Sequence, residues 1–252
     1  QTDAPTFASL TSALADRCRE ISQTVENITI VFDKGNNSQD NLDAIEDTPF
    51  HFVGSLVYTQ HKDLLDIPKE RFQSLAHAGL RGVSAYRCTR SVFGQKRTVL
   101  VTFNENLFVS QSKTLLREIG KRLQRFRDLS ARLERRRRGE IRGGKPPTLE
   151  GTRKKVDGWL KAQHMKDLFD VEIVDQDGLP AFTYRFNQEA WEHLQESLLG
   201  KTILFTDNDD WTDAEIVHGY RAQHHVERAF RTMKDPQYIC LRPQHHWTDQ
   251  KV

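Results

Sequence analysis

The run Asn27 to Phe32, NITIVF, constrains the fold of this chain most. A strand that is β-branched and aromatic along its length offers no face to water, so the centre of a sheet covered on both sides is its expected place. Asp33-Lys34-Gly35-Asn36-Asn37-Ser38 ends the run with turn formers, and Ser38 is positioned to cap a short helix through Ile45. Ahead of the strand, Thr6 to Gln23 carries Phe7, Leu10, Leu14 and Ile21 at helical spacing. A second apolar strand is expected from Phe50 to Thr59, then a short helix from Pro68 to His77 with proline at its start. Helix, strand, helix, strand, helix is the order of an α/β layer.

Gly79 to Gly82 reads as a boundary, after which the texture changes. Val83 to Phe93 and Arg97 to Phe103 form an antiparallel pair joined near Gly94-Gln95, and a long amphipathic helix follows from about Ser112 to Arg138. Its apolar seam is Leu115, Leu116, Ile119, Leu123, Phe126, Leu129 and Leu133, and Pro146-Pro147 close the flexible segment after it. A helix over Thr148 to Gln163, a hairpin of Phe169 to Val174 with Ala181 to Phe186 turning at Asp177-Gly178, and a helix over Gln188 to Leu199 lead to the strand Thr202 to Phe205. The expected organisation is therefore 1–78 as the first part of a core, 79–200 as a β-rich α+β insertion with its basic helix at 112–138, and 201–252 as the return to the core.

Charge is distributed unevenly. The net charge is +2, yet Lys113 to Lys145 holds thirteen Lys/Arg against four Asp/Glu, an excess of nine that leaves 2 − 9 = −7 for the rest. Such a segment suits contact with a polyanion, and Arg135, Arg136, Arg137 and Arg138 stand at its densest point. With 252 residues of which 37% are hydrophobic, the chain is large enough for one good core and a smaller module. Its three cysteines are widely spaced and lack a CxxC pair, which disfavours disulfides and structural zinc. The N-terminal QTDAPTFASL has neither the basic start nor the apolar middle of a secretion signal, and no apolar run approaches membrane-span length, so a cytoplasmic setting is expected. The first residue is not Met and HHWTDQKV ends without a cap, which leads us to expect a piece of a longer protein.

Trp211 to Lys234 is expected to be one helix, with Thr212 as N-cap, Asp213 and Glu215 in its first turn, and Asp235-Pro236 after it. Tyr220, Glu227 and Lys234 are spaced seven apart, a step that returns to within about 20° of the same helix face. A carboxylate between a phenol and an ammonium suits holding a divalent metal or gripping a phosphate. Asp33, at the carboxyl end of a strand, supplies a second acid where open α/β sheets place their ligands. Two such carboxylates can share a pair of Mg²⁺ or Mn²⁺ ions roughly 4 Å apart for phosphodiester cleavage.

HVERAFRTMK on that helix, with Tyr220, Glu227 and Lys234, together with NITIVFDKGNNS, resembles the insertion-sequence transposases of the DDE class that carry a Tyr-Arg-Glu-Lys signature. The resemblance covers most of the chain. It implies a ribonuclease H-like mixed sheet with helices, interrupted by a β-rich insertion before the last catalytic helix. By position it makes Asp33 the second and Glu227 the third metal-binding acid, with Tyr220, Lys234 and Arg231 on DNA. The implied activity is cleavage and strand transfer at transposon ends with Mg²⁺ or Mn²⁺, by a homodimer on DNA ends and target DNA, with no membrane partner. Gln223 stands where the signature has arginine, and Arg221 is nearby. The first acid of the family falls on an earlier strand outside this chain, so these residues alone are expected to be inactive.

Two other readings stand beside this one, a DNA-binding remnant without catalysis and a ribonuclease H-like nuclease that hydrolyses without strand transfer. Asp207, Asp209 and Asp210 are metal-oxygen candidates whose simpler role is a polar loop before a helix. His224-His225 and His245-His246 lack the spacing of a zinc site.

Overall fold

In a computed structural model, residues 4–21, 28–223 and 228 are described. The chain splits into two compact units, 1–64, 68–102 and 202–252 forming the first and 65–67 with 103–201 the second.

The first unit is α/β with a mixed sheet. Helix α1 (Ala4–Ile21) precedes β1 (Thr29–Phe32), α2 (Gln39–Glu46) follows with Ser38 as its N-cap, and β2 (His51–Ser55) pairs in parallel with β1, Phe32 opposite Gly54. After the single turn α3 (Lys62–Leu65) come β3 (Gln73–Ser74), β4 (Val83–Val92) and β5 (Gln95–Asn104). The strand β8 (Lys201–Thr206) runs antiparallel to β2, with Phe205 opposite Gly54, and α8 (Asp213–Arg221) is the last described helix. The order among the described strands is β1-β2-β8-β5-β4-β3.

Strand alternation sorts the side chains into two cores. On one face Phe32, Phe52 and Phe205 meet at ring-centroid distances of 5.2–6.0 Å, and Phe7 of α1 reaches Phe32 at 5.6 Å. On the other, Val53, Leu100 and Leu204 pack with Ile216 and Val217 of α8. The sheet thus has helices on both sides.

Several expectations are corrected here. The NITIVF strand lies at the end of the described strand order rather than in the middle, with Ile28 to Val31 only half-buried. Its apolar character answers to the helices above and below, not to neighbours on both edges. Pro68 to His77 is not a helix: one 3-10 turn at Lys69–Arg71 leads into β3, which pairs Gln73 with Ala85. With only Phe72 and Leu75 to bury, the segment lacks an apolar stripe and finds its hydrogen bonds on β4. The chain also does not divide at residue 79, because the β4–β5 hairpin, turning at Phe93 (φ 51°) and Gly94 (φ 76°), belongs to the first unit's sheet.

The second unit is mainly helical, not β-rich. Helix α4 (Glu105–Arg137) starts seven residues before the expected Ser112, capped by Asn104, whose side chain accepts from Asn106 and Leu107. It is followed by α5 (Leu149–Leu160), the short α6 (Met165–Leu168), the hairpin β6 (Phe169–Gln176) and β7 (Leu179–Phe186), and α7 (Gln188–Ser197). The hairpin turns at Asp177 (φ 56°) and Gly178 (φ 77°), the left-handed pair that a two-residue turn between twisted strands requires. Phe126 of α4 is fully buried against Phe169, Phe182, Tyr184 and Trp159. No described helix is long and apolar enough to cross a membrane.

Candidate functional site

Asp33 leaves the carboxyl end of β1 in extended conformation (φ −89°, ψ 173°). Phe32 points into the aromatic core, so alternation turns Asp33 to the opposite face of the sheet, the face that α8 covers. Its Oδ1 accepts from the Gly35 backbone N–H at 2.9 Å, starting the turn Lys34–Asn36, and the residue is exposed. The carboxylate therefore has a structural role at one oxygen and an open position at the other.

The parallel pair β1 and β2 opens at the same end. Asn37 donates from Nδ2 to the Ser55 carbonyl at 2.8 Å and so ties the Asp33 turn to the end of β2, while its Oδ1 is buried without a partner. His61 follows β2 in the next turn; burial holds its imidazole below the ordinary value, with Asp63 opposing and Arg90 adding to the shift.

Helix α8 is anchored at the other end of the strands. Asp207 accepts from Phe52 N at 2.8 Å and from His51 Nδ1 at 3.2 Å, and Asn208 donates to Thr29 Oγ1 at 3.1 Å. Asp209 accepts from Thr98 Oγ1, and Arg87 donates to the carbonyls of Asp209 and Trp211 and to Asp213 Oδ1. These three acids and Asn208 knit the helix approach to four strands, and on β1 and β2 they hold the end opposite Asp33. A polar loop is thus the role the structure gives Asp207 and Asp209.

From this loop Thr212 and Glu215 close a capping box, Thr212 N donating to Glu215 Oε2 at 2.7 Å and Glu215 N to Thr212 Oγ1 at 3.3 Å. The Thr212 hydroxyl and backbone N–H hold the Glu215 carboxyl below its usual range. The helix packs on β1 and β2, and an added Cβ at Gly219 would lie 3.9 Å from Val53 Cγ2.

Tyr220, near the top of α8, is half-buried against the Val53–Ile216 core. Arg221 beside it is half-buried, and burial lowers its guanidinium from the ordinary value. Gln223 is helical; Glu227, Arg231 and Lys234 lie outside the described residues. Among the described residues no group of three His, Cys, Asp or Glu side chains is arranged to hold a metal ion. Asp33 therefore belongs to no such group among the described residues.

One pair escaped sequence reasoning altogether. His218 Nε2 and His77 Nδ1 stand 2.8 Å apart, pinning α8 to the loop before β4, and Gly79 leaves room, since a Cβ there would lie 3.0 Å from His218 Cε1. The two histidines are 141 positions apart, and no local pattern joins them.

In the second unit the four consecutive arginines do not form one free patch. Arg135 pairs with Glu140 at 3.2 Å and Arg138 with Glu134, whereas Arg136 donates to the carbonyls of Gly143 and Gly144 and Arg137 to that of Pro180. Comparison of the chain with protein-family models, curated proteins and solved structures found no match.

Proposed function

We propose that the chain is part of a DNA transposase with a ribonuclease H-like core, acting on transposon ends by phosphodiester cleavage and strand transfer. The observation that carries this reading is the geometry of Asp33, which leaves the end of β1 on the sheet face that α8 covers. A shared metal site at that end requires a second acid, and Glu227 is the acid the sequence offers. Asp33 and Glu227 would hold Mg²⁺ or Mn²⁺, whose hard-oxygen chemistry activates a water and stabilises a leaving oxygen. Tyr220, Arg231 and Lys234 would contact the DNA beside them. Here Tyr220 is anchored by its ring in the core, so its hydroxyl end alone is available to a phosphate.

The test is cleavage and joining of a labelled transposon end in Mg²⁺ or Mn²⁺ with wild type, Asp33→Ala and Glu227→Ala. Loss of cleavage with retained DNA binding in both variants supports the assignment, and wild-type activity in either defeats it. Binding of Mn²⁺ followed by electron paramagnetic resonance gives a second readout that does not depend on turnover. A second reading, DNA binding without cleavage, draws on the basic face of the second unit, which works without a metal. It is the better account if duplex binding is salt-sensitive while neither Asp33→Ala nor Glu227→Ala changes any metal-dependent signal.

A further inference from the structure

The charge of α4 does not lie where the sequence is densest in arginine. Arg135 and Arg138 face carboxylates, whereas Arg125 and Arg132 of α4 and Lys155 of α5 make no ion pair among the described residues. Arg136 is held only by neutral carbonyls, so its charge too is uncompensated. At about 100° per residue, Arg125, Arg132 and Arg136 fall within about 40° of one another on α4.

Lys155 joins this row through Trp159. The Arg125 guanidinium lies 5.8 Å and the Lys155 ammonium 5.3 Å from the centre of the Trp159 ring, so two like charges on different helices converge on one indole. Attraction to the ring face offsets part of their mutual repulsion. The helix pair is fixed beneath them: Arg122, buried, donates to the Trp159 carbonyl at 3.1 Å, and Phe126 packs on the indole. Gly158 beside the indole has open space where a side chain would stand. The result is a ridge of four cations from two helices, joined at Trp159 and suited to a ligand with regularly spaced negative charge.

We infer that this α4–α5 ridge, Arg125, Arg132, Arg136 and Lys155 around Trp159, is a docking surface for the phosphate backbone of duplex DNA. A row of cations on helix surfaces beside an indole suits contact with backbone phosphates, which fix the position of a duplex without carrying sequence information. Choice of DNA as the polyanion rests on the function proposed above, whereas the residues of the ridge follow from the second unit alone.

The experiment is anisotropy of a labelled duplex of about 25 base pairs from 50 to 200 mM NaCl, using the whole chain. Four neutralised phosphates predict a log–log slope near −3.6 and a loss of affinity of roughly 150-fold over that range. Arg125→Gln/Lys155→Gln should halve the slope and cut the salt-induced loss to roughly 12-fold. Arg135→Gln/Arg138→Gln, with their charges already paired, should change the slope by less than about one. All these side chains lie on the surface or donate only local bonds, and unchanged circular dichroism and melting confirm folding of each variant.

Equal loss in the Arg135/Arg138 variant, or a wild-type slope in the Arg125/Lys155 variant, overturns the inference. So does binding of a poly-glutamate probe as tightly as the duplex, which makes the ridge a site for acidic protein. Asp33→Asn serves to separate the two proposals: it leaves this slope unchanged if the ridge is right, whatever it does to cleavage. Cleavage that survives loss of the ridge, or a ridge that binds DNA in a protein that never cleaves, tells which of the two has failed.

Discussion

Gly54 lies in β2 between Phe32 of β1 and Phe205 of β8, and both rings occupy the space above it. A Cβ at this position would stand 2.6 Å from Phe32 Cε2 and 2.6 Å from Phe205 Cε1. Carbon atoms pack best at about 3.5–4.0 Å, so each ring would have to retreat by about 1 Å. Neither has room: Phe205 is 0% and Phe32 3% exposed, with Phe52 stacked against Phe32. Overpacking of this kind costs about 1–3 kcal/mol, and two rings displaced in opposite directions place Gly54→Ala at the upper end. The smaller entropy of an unfolded alanine returns about 0.4–1 kcal/mol, leaving a net loss of about 2 kcal/mol. Melting should fall by about 4–8 °C, and urea unfolding followed by hydrogen exchange on the β1 and β2 peptides should report the same loss. Phe32→Leu in the Gly54→Ala background should recover part of it, because the smaller side chain vacates one side of the clash. Stability within about 0.5 kcal/mol of wild type for Gly54→Ala would refute the packing argument. Phe32 immediately precedes Asp33, so the same substitution should also weaken any metal signal that depends on Asp33, with DNA binding by the second unit unaffected.

Phe126→Ala should destabilise the second unit by about 3–5 kcal/mol, since the ring is fully buried among four aromatic neighbours, and hydrogen exchange in α4, β6 and β7 should rise together. Thr212→Ala should cost about 0.5–2 kcal/mol by opening the capping box, read as faster exchange in α8 alone. The folded Glu215 carboxyl is depressed by Thr212, so its contribution is complete above the ordinary carboxylate range and is lost as pH falls through the lower folded value. Carbon-detected titration should therefore show Glu215 protonating below the ordinary carboxylate range, and Thr212→Ala should raise its midpoint. Glu46→Ala leaves Arg97, 4% exposed and lying over Phe52, without its carboxylate and should cost about 3–5 kcal/mol, whereas replacing Arg97 and Glu46 together by apolar residues should cost far less.

How much of this was legible in the sequence depends on how local each signal is. Ser38, Thr148 and Thr212 cap the helices they precede, and Asp177-Gly178 turns the hairpin, because a cap or a two-residue turn is decided by neighbours in sequence. The place of NITIVF at the end of the strand order, the capture of the β4–β5 hairpin by the first sheet and the helical character of the second unit were not legible, since strand pairing joins residues up to 150 positions apart. For the same reason Asp33 could be seen at a strand end, but not which face of the sheet it joins.

Apart from Pro68 to His77, the sequence by itself determined which segments are strand or helix, where charge accumulates and which acids stand at an element's end, because side-chain chemistry and backbone preference act over a few residues. Tertiary structure alone decided that α8 and Asp33 share a face, that His77 meets His218, and that Arg135 and Arg138 of the run of four arginines are paired with carboxylates while Arg125 and Lys155 converge on Trp159. The effective charge of an arginine depends on the carboxylate or carbonyl that folding brings within reach, and that partner can come from another helix or loop.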